Sequence, residues 1–92
     1  MLPVRLSPRT LADRDRLFAF LVEMSPQVAD RAMAVLQDAL GDIGKFPRLG
    51  RPGPPGYRRL VVRFGQGGYE VRYRIVPDAV LVTRIFHTRE DR

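Results

Sequence analysis

The first half of the chain carries apolar residues at helical spacing in two consecutive segments. Their positions are Leu11, Leu17, Phe18, Leu21 and Val22 in the first segment, and Val28, Ala29, Ala32, Met33, Leu36, Ala39, Leu40 and Ile43 in the second. The charged residues expected on the opposite side of the first helix are Arg9, Asp13, Arg16 and Glu23. Such stripes predict two amphipathic helices, each with one side packed against the rest of the protein.

Start and stop signals set the ends of both helices. Ser7-Pro8 and Ser25-Pro26 each combine a hydroxyl that caps a helix N-terminus with a proline that fits the first turn. Phe46-Pro47 ends the second helix because proline disfavours helical backbone in the residue before it. The sequence therefore predicts a helical hairpin with a very tight connection, and the alternating residues 1–6 before it predict a short strand.

The second half alternates between apolar and polar residues, which is typical of strands. Strands are predicted over residues 58–64, 69–76 and 80–87, with turns between them. The apolar faces of the first two strands are Leu60, Val62 and Phe64, and Tyr69, Val71, Tyr73 and Ile75; their opposite faces are Arg59, Val61 and Arg63, and Glu70, Arg72 and Arg74. The third strand is apolar on both faces, as expected of a strand inside a sheet.

The element order is β-α-α-β-β-β, and it defines the expected fold. Residues 47–56, with four prolines and three glycines, predict a loop without helix or strand. Both helices need an apolar surface to pack against, and only the sheet offers one. We therefore expect a single α+β domain over residues 1–92, with the helical hairpin on one face of a mainly antiparallel, four-stranded sheet.

The positive charge of the chain lies entirely in its strand-rich half. Ten arginines there stand against four carboxylates, which gives the formal net charge of +6, whereas six cations and six carboxylates cancel in the first half. The arginines expected together on the face opposite the helices are Arg59, Arg63, Arg72 and Arg74. This basic surface predicts an acidic protein or a polyanion as partner, and the alternative is an ordinary solvated face.

The composition argues against several kinds of site. The chain has no cysteine, so it has neither a disulfide nor a thiolate metal site, and its single histidine argues against a histidine-built metal site. A chain of 92 residues has no room for a large enclosed cofactor site. No apolar run approaches the roughly 20 residues that span a bilayer. We therefore expect a soluble, cytoplasmic protein without metal or cofactor.

Five short motifs occur in an order that resembles the ParE/RelE superfamily of toxins from type II toxin–antitoxin modules. The motifs are Ser25-Pro26, Pro47 to Pro52, Gly56 to Leu60, Tyr69 to Ile75 and His87 to Asp91. They extend over practically the whole chain and accompany the β-α-α-β-β-β order of that superfamily. The resemblance implies a toxin that a cognate antitoxin neutralises.

The superfamily has two branches that need different chemistry. RelE-like toxins are ribosome-dependent endoribonucleases, which need cations around the scissile phosphate and a general acid or base. They commonly carry an arginine where this chain has Glu70, and an aromatic side chain where it has Thr88. His87 is the general acid–base candidate, with Arg63 as its partner if the nuclease branch applies, although a lone histidine is often structural. Glu70 and Thr88 favour the ParE-like branch, because a carboxylate repels a phosphate.

The resemblance to ParE implies that the chain inhibits DNA gyrase by binding to it. The alternatives are a RelE-like nuclease and an inactive member that only binds its antitoxin. The implied antitoxin has a ribbon-helix-helix or similar DNA-binding part, so the toxin reaches operator DNA only through it. The residues expected at the target or antitoxin surface are Arg59, Arg63, Arg72, Arg74 and Arg89. The candidates for an apolar antitoxin groove, which the core could equally contain, are Leu17, Phe18, Leu21, Met24 and Met33.

Overall fold

The computed structural model describes residues 1–90 and has two helices and five strands. The elements are β1 (Val4–Leu6), α1 (Pro8–Met24), α2 (Pro26–Lys45), β2 (Arg51–Gly53), β3 (Tyr57–Phe64), β4 (Gly67–Val76) and β5 (Ala79–His87). The predicted α+β class is confirmed. Neither helix in this part of the chain combines the length and the hydropathy needed to cross a membrane.

The caps that the sequence predicts set the helix ends. The hydroxyl of Ser7 accepts the N–H of Thr10 at 3.1 Å, and the hydroxyl of Ser25 accepts the N–H of Val28 at 3.3 Å. Ser25 also donates its own N–H to the carbonyl of Leu21 at 2.9 Å, so this one residue ends α1 and starts α2. The hairpin connection is therefore a single residue long.

The sheet has the strand order β1-β5-β4-β3-β2, with β1 parallel to β5 and all other pairs antiparallel. The prediction of four strands was wrong by one, because Arg51–Gly53 lies in the segment assigned to a loop and pairs with β3. Two features make this possible. Pro52 is tolerated because β2 is an edge strand, and Gly56 takes the positive φ of 102° that the turn into β3 requires.

The core lies between the inner stripes of the helices and one face of the sheet. Its largest fully buried side chains include Tyr69 and Tyr73 from β4, and Ile43 from α2. The alternation predicted for β3 and for most of β4 is confirmed, but Ile75, predicted on the apolar face under the helices, is 42% exposed. Ile75 lies beside the segment that leaves α2, at the border of the area covered by the helices.

The inner side of α1 is partly polar, which the sequence pattern did not predict. Asp13 was placed on the solvent side, yet it is 2% exposed, and Thr10 is fully buried. The reason is that β1 pairs with β5 only as far as Val82, and the rest of that edge of β5 faces α1. The Thr10 hydroxyl donates to the carbonyl of Val82 at 2.8 Å, and Asp13 accepts the N–H of Ile85 at 2.9 Å. Helix side chains thus bind the backbone groups of β5 where β1 has ended.

Candidate functional site

A row of arginines crosses the face of the sheet that the helices leave open. The register pairs Arg51 with Arg59, Arg59 with Arg72, and Arg72 with Arg84, and residues directly opposite each other in neighbouring strands point to the same face. Alternation along β3 and β4 places Arg63 and Arg74 on this outer face as well. The structure therefore brings together four of the predicted surface arginines and adds Arg51 and Arg84.

Two neighbouring arginines of the row, Arg72 and Arg84, are tied to the protein. The Nε of Arg72 donates to Glu70 at 2.6 Å, and the Nε of Arg84 donates to Asp13 at 2.8 Å. Both guanidinium groups also lie over the ring of Phe86, at 4.9 Å and 4.3 Å from its centre. Phe86 is only 4% exposed, so the guanidinium planes act as its cover. Arg72 and Arg84 thus have a structural role.

The other four arginines of the outer face differ from this pair, and we call these four the outer arginines. Arg51, Arg59, Arg63 and Arg74 are all exposed. Charges at the surface remain available to an incoming partner, because water and salt screen their interactions within the protein. The sequence could not separate the two groups, because the partner of Arg84 is 71 residues away in the chain.

His87 lies on the other face of the sheet, with the helices. It pairs in register with Tyr69, and the two rings meet edge to face with centres 5.5 Å apart. The Nδ1 of His87 accepts the N–H of Arg89 at 3.1 Å. Arg63 points away from the helices, so the structure does not place the two residues of the nuclease alternative on one face.

An apolar cleft of about 600 Å³ opens beside His87. Its lining residues are Arg16, Leu17, Phe20, Leu21, Met24, Tyr69, His87, Arg89 and Glu90. Phe20 and Met24 are the most exposed apolar side chains among them, at 66% and 69%. We call this the His87 cleft; of the predicted surface arginines, Arg89 lies here rather than on the outer face.

A network of ion pairs connects the His87 cleft to the arginine row. Asp13 accepts from Arg84 and from Arg16, and Arg16 also donates to Glu90 at 3.0 Å. Glu90 in turn accepts the N–H of His87 at 3.1 Å. The described tail is therefore fixed to α1, while Asp91, the last residue of the sequence motif, lies outside the described residues.

Burial and hydrogen bonding compete in setting the pKa of Asp13. Burial disfavours the charged carboxylate, but hydrogen bonds from Arg84, Arg16 and the N–H of Ile85 outweigh it and lower the pKa. For Arg16, the hydrogen bond with Asp13 exceeds the effect of burial and raises the pKa. Asp13 and Arg16 are thus both held in their charged forms. Burial, aided by the charge of Glu90, raises the pKa of Tyr69 beside His87.

The five predicted groove residues do not form one groove. Leu17 and Leu21 are 5% and 9% exposed and belong to the core. They also form part of the wall of the His87 cleft, together with Met24. Phe18 and Met33 line a second cleft of about 320 Å³, together with residues of α2. The predicted groove is therefore two clefts, which meet different sides of α1.

The described residues offer no obvious metal site. No group of three or more histidine, cysteine, aspartate or glutamate side chains within residues 1–90 could hold a metal ion.

Solved structures with this fold come from toxin–antitoxin systems. A chain of the chromosomal ParDE system from P. aeruginosa has a TM-score of 0.80 and 20% identity, with 95% of this chain and 96% of that chain covered. A chain of the RelBE2 toxin–antitoxin complex from Mycobacterium tuberculosis has a TM-score of 0.63 and 26% identity, with 94% and 96% covered. The fold of this chain is therefore one that also occurs in toxin–antitoxin systems.

Sequence comparison identifies the family. The family described as the ParE toxin of the type II toxin–antitoxin system parDE matches residues 4–92. The toxin RelE3 of Caulobacter vibrioides is 37% identical over 92 residues, with both chains fully covered. The toxin RelE1 of the same organism is 39% identical over 89 residues, with 97% of this chain and 96% of the relative covered. The chain belongs to the ParE toxin family of type II toxin–antitoxin systems, which confirms the resemblance predicted from the motifs.

Proposed function

We propose that this chain, as a single domain, is a toxin that inhibits DNA gyrase by binding to it. The observation that carries the proposal is the separation of His87 from Arg63 by the sheet. Hydrolysis of a phosphodiester needs a general acid or base and a phosphate-holding cation around the same phosphate. A toxin that acts by binding needs no such convergence.

The ion pairs of Arg72 and Arg84 support the same conclusion. Arg72 and Arg84 are bound to carboxylates, and both lie over the ring of Phe86. A cation that already pairs with a carboxylate is a poor holder for a phosphate, because the phosphate has to compete with that partner. The outer arginines remain available for an acidic protein surface.

A cognate antitoxin is the second partner in this proposal. The ParDE and RelBE2 structures described above come from toxin–antitoxin systems, which supports the same assembly here. We expect acidic residues of the antitoxin to cover the outer arginines, and an apolar segment to enter the His87 cleft. A ribbon-helix-helix or similar part of the antitoxin would bind operator DNA.

The antitoxin site can be tested with exposed residues of the cleft. Met24→Ala or Phe20→Ala should weaken antitoxin binding by about tenfold or more in calorimetry, as expected for a buried interface anchor. Leu11→Ala is the matched control, since Leu11 is an exposed apolar residue of the same helix and lines neither cleft. Equal affinities for all variants and the wild type would exclude the cleft as the antitoxin site.

The gyrase proposal is tested with purified toxin in a supercoiling assay. The expected result is loss of supercoiling with accumulation of cleaved DNA, and recovery when equimolar antitoxin is added. In cells, expression of the toxin without antitoxin should arrest growth with filamentation and DNA-damage signalling. Growth arrest with stopped translation and intact DNA would overturn the proposal.

A second candidate function is ribosome-dependent cleavage of mRNA, which the RelE names of the two Caulobacter relatives favour. It predicts cut mRNA when the toxin is added to translating ribosomes, and loss of cleavage in His87→Ala and Arg63→Ala variants that remain folded. Absence of cleavage by a toxin that arrests growth would remove this candidate. A chain that binds its antitoxin but arrests no growth would instead be an inactive family member.

A further inference from the structure

The segment that connects α2 to β2 exposes an apolar surface that neither the antitoxin site nor the arginine row includes. Phe46 and Leu49 are 65% and 48% exposed, and the exposed Ile75 of β4 lies beside them. They line an open cavity of about 670 Å³ together with Lys45, Pro47 and Arg48. We call Phe46, Leu49 and Ile75, with the rim of Lys45 and Arg48, the connector patch.

The backbone of the connector patch is held rigidly although its side chains are exposed. The hydroxyl of the buried Tyr73 accepts the N–H of Gly50 at 2.7 Å and donates to the carbonyl of Pro47 at 2.7 Å. Arg58 donates to the carbonyl of Gly50 at 2.7 Å, and Leu49 donates its N–H to Phe46 at 2.9 Å. A surface that is already ordered loses less conformational entropy on binding, which favours affinity.

Position 50 shows how closely this segment is fixed. A Cβ added to Gly50 would lie 2.8 Å from the hydroxyl oxygen of Tyr73 and 2.9 Å from the carbonyl oxygen of Arg59. Only glycine therefore allows the connector to approach Tyr73 this closely. The exposed aromatic ring of Phe46 therefore projects from a segment whose backbone is fixed by its contacts with Tyr73.

The charge and the position of the connector patch indicate its partner. The cavity is lined by two cations and no carboxylate, in contrast to the His87 cleft, which Glu90 also lines. Ile75 lies six residues along β4 from Tyr69 of the His87 cleft, which is about 20 Å in a strand. A side chain seated in the His87 cleft therefore does not itself cover this patch.

We infer that the connector patch is a docking site for an acidic segment of the toxin's protein target, with an apolar side chain of that segment seated against Phe46 and Leu49. This inference rests on the proposed function, in which the target is DNA gyrase, and it names the surface that the target contacts. Carboxylates of the segment pair with Lys45 and Arg48 at the rim. Exposed aromatic and arginine side chains in a preorganised setting are the residue types that dominate protein interfaces.

The test uses Phe46→Ala, Leu49→Ala and Arg48→Glu in the full-length toxin, measured for growth arrest, gyrase inhibition and antitoxin affinity. We expect each variant to need about tenfold more toxin or more for half-inhibition of supercoiling. Growth arrest should weaken in parallel, while antitoxin affinity stays within about twofold of the wild type. Leu11→Ala and Arg31→Glu are the matched controls, because both residues are exposed and line none of the three cavities.

The separate measurements distinguish failure of the inference from failure of the proposed function. Variants that arrest growth as strongly as the wild type would overturn the inference, whatever the target is. Loss of antitoxin affinity with unchanged growth arrest would overturn it as well, by assigning the patch to the antitoxin. A wild-type toxin that arrests growth without inhibiting gyrase would overturn the proposed function. The growth arrest caused by the variants would still test the connector patch in that case. Circular dichroism melts of each variant exclude a folding defect.

Discussion

Both faces of the sheet bury aromatic side chains, but helices cover them on one face and arginine side chains cover them on the other. On the helix face, Tyr69 and Tyr73 are 1% and 0% exposed beneath the hairpin. On the outer face, Phe86 is 4% exposed beneath the guanidinium groups of Arg72 and Arg84. The comparison shows that a row of arginines on a sheet can be part of the packing, so its charge alone does not mark a binding site.

The two faces also meet at one residue. Asp13 belongs to the inner side of α1, yet it holds Arg84 of the outer face and the backbone of β5. A buried carboxylate with three hydrogen-bond partners stabilises only if all partners stay in place. Removal of Asp13 should therefore disturb both faces of the sheet, and we expect it to have the largest effect on stability.

Asp13→Ala should have the largest effect on stability. The change removes the acceptor for Arg84, for Arg16 and for the N–H of Ile85, and breaking a buried ion pair in this way costs about 3–5 kcal/mol. Urea denaturation would measure the free energy of unfolding. Asp15→Ala, an exposed carboxylate on the same helix, serves as control and should change little. Equal stabilities of the two variants would show that the faces are not coupled through Asp13.

Arg72→Ala should have the next largest effect and Arg59→Ala almost none, although the two residues are direct neighbours in the row. Arg72 is hydrogen-bonded to the buried Glu70, and loss of a hydrogen bond to a charged group costs about 1.5–3 kcal/mol. Arg59 is exposed, so its removal should stay within about 0.5 kcal/mol. Thermal melts of both variants compare them directly, and similar losses would contradict the division of the row.

Acid should destabilise the wild type more than Asp13→Asn. The folded protein lowers the pKa of Asp13 below its ordinary value of 3.8, so the charged form stabilises the fold at higher pH. This contribution is fully present above 3.8 and is lost as the pH falls from there through the lower folded pKa. Unfolding free energies measured between about pH 2 and 6 should fall less steeply for the variant. Parallel curves would argue that Asp13 keeps its ordinary pKa.

Arg63→Ala should have the smallest effect on stability, within about 0.5 kcal/mol, because its side chain is exposed. Its effect should instead appear in binding, since a charge at the border of an interface mainly increases the rate of association. Stopped-flow mixing with the antitoxin should show slower association at low salt and a weaker dependence on salt. An unchanged association rate would remove Arg63 from the antitoxin surface.

Local signals were sufficient for most of the fold. The two serine–proline pairs predicted the helix starts because caps depend on neighbouring residues alone. Alternation along β3 predicted which side chains face the helices. The strand Arg51–Gly53 was missed because its pairing with β3 overrides the tendency of proline and glycine to form loops.

The candidate site was less predictable, since its contacts are distant in sequence. Asp13 looked solvent-facing because nothing near it shows that β1 pairs with β5 only as far as Val82 and leaves the rest of that edge to α1. Arg84 lay in a strand that looked apolar on both faces, and its carboxylate partner comes from the first helix. Positions on a helix or strand follow from periodicity, whereas ion pairs follow from how the elements are assembled.

The single-residue joint at Ser25 has a consequence for how this toxin can vary. An added residue would break the arrangement in which Ser25 both accepts the N–H of Val28 and donates its own N–H to Leu21. If α2 instead absorbed the residue by a shift of one position along its sequence, the helix would turn by about 100° and move Ala29, Ala32 and Leu36 away from the sheet. We therefore expect the joint to tolerate substitution better than insertion. Threonine or aspartate can replace Ser25 as the cap, whereas an added residue should destabilise the hairpin.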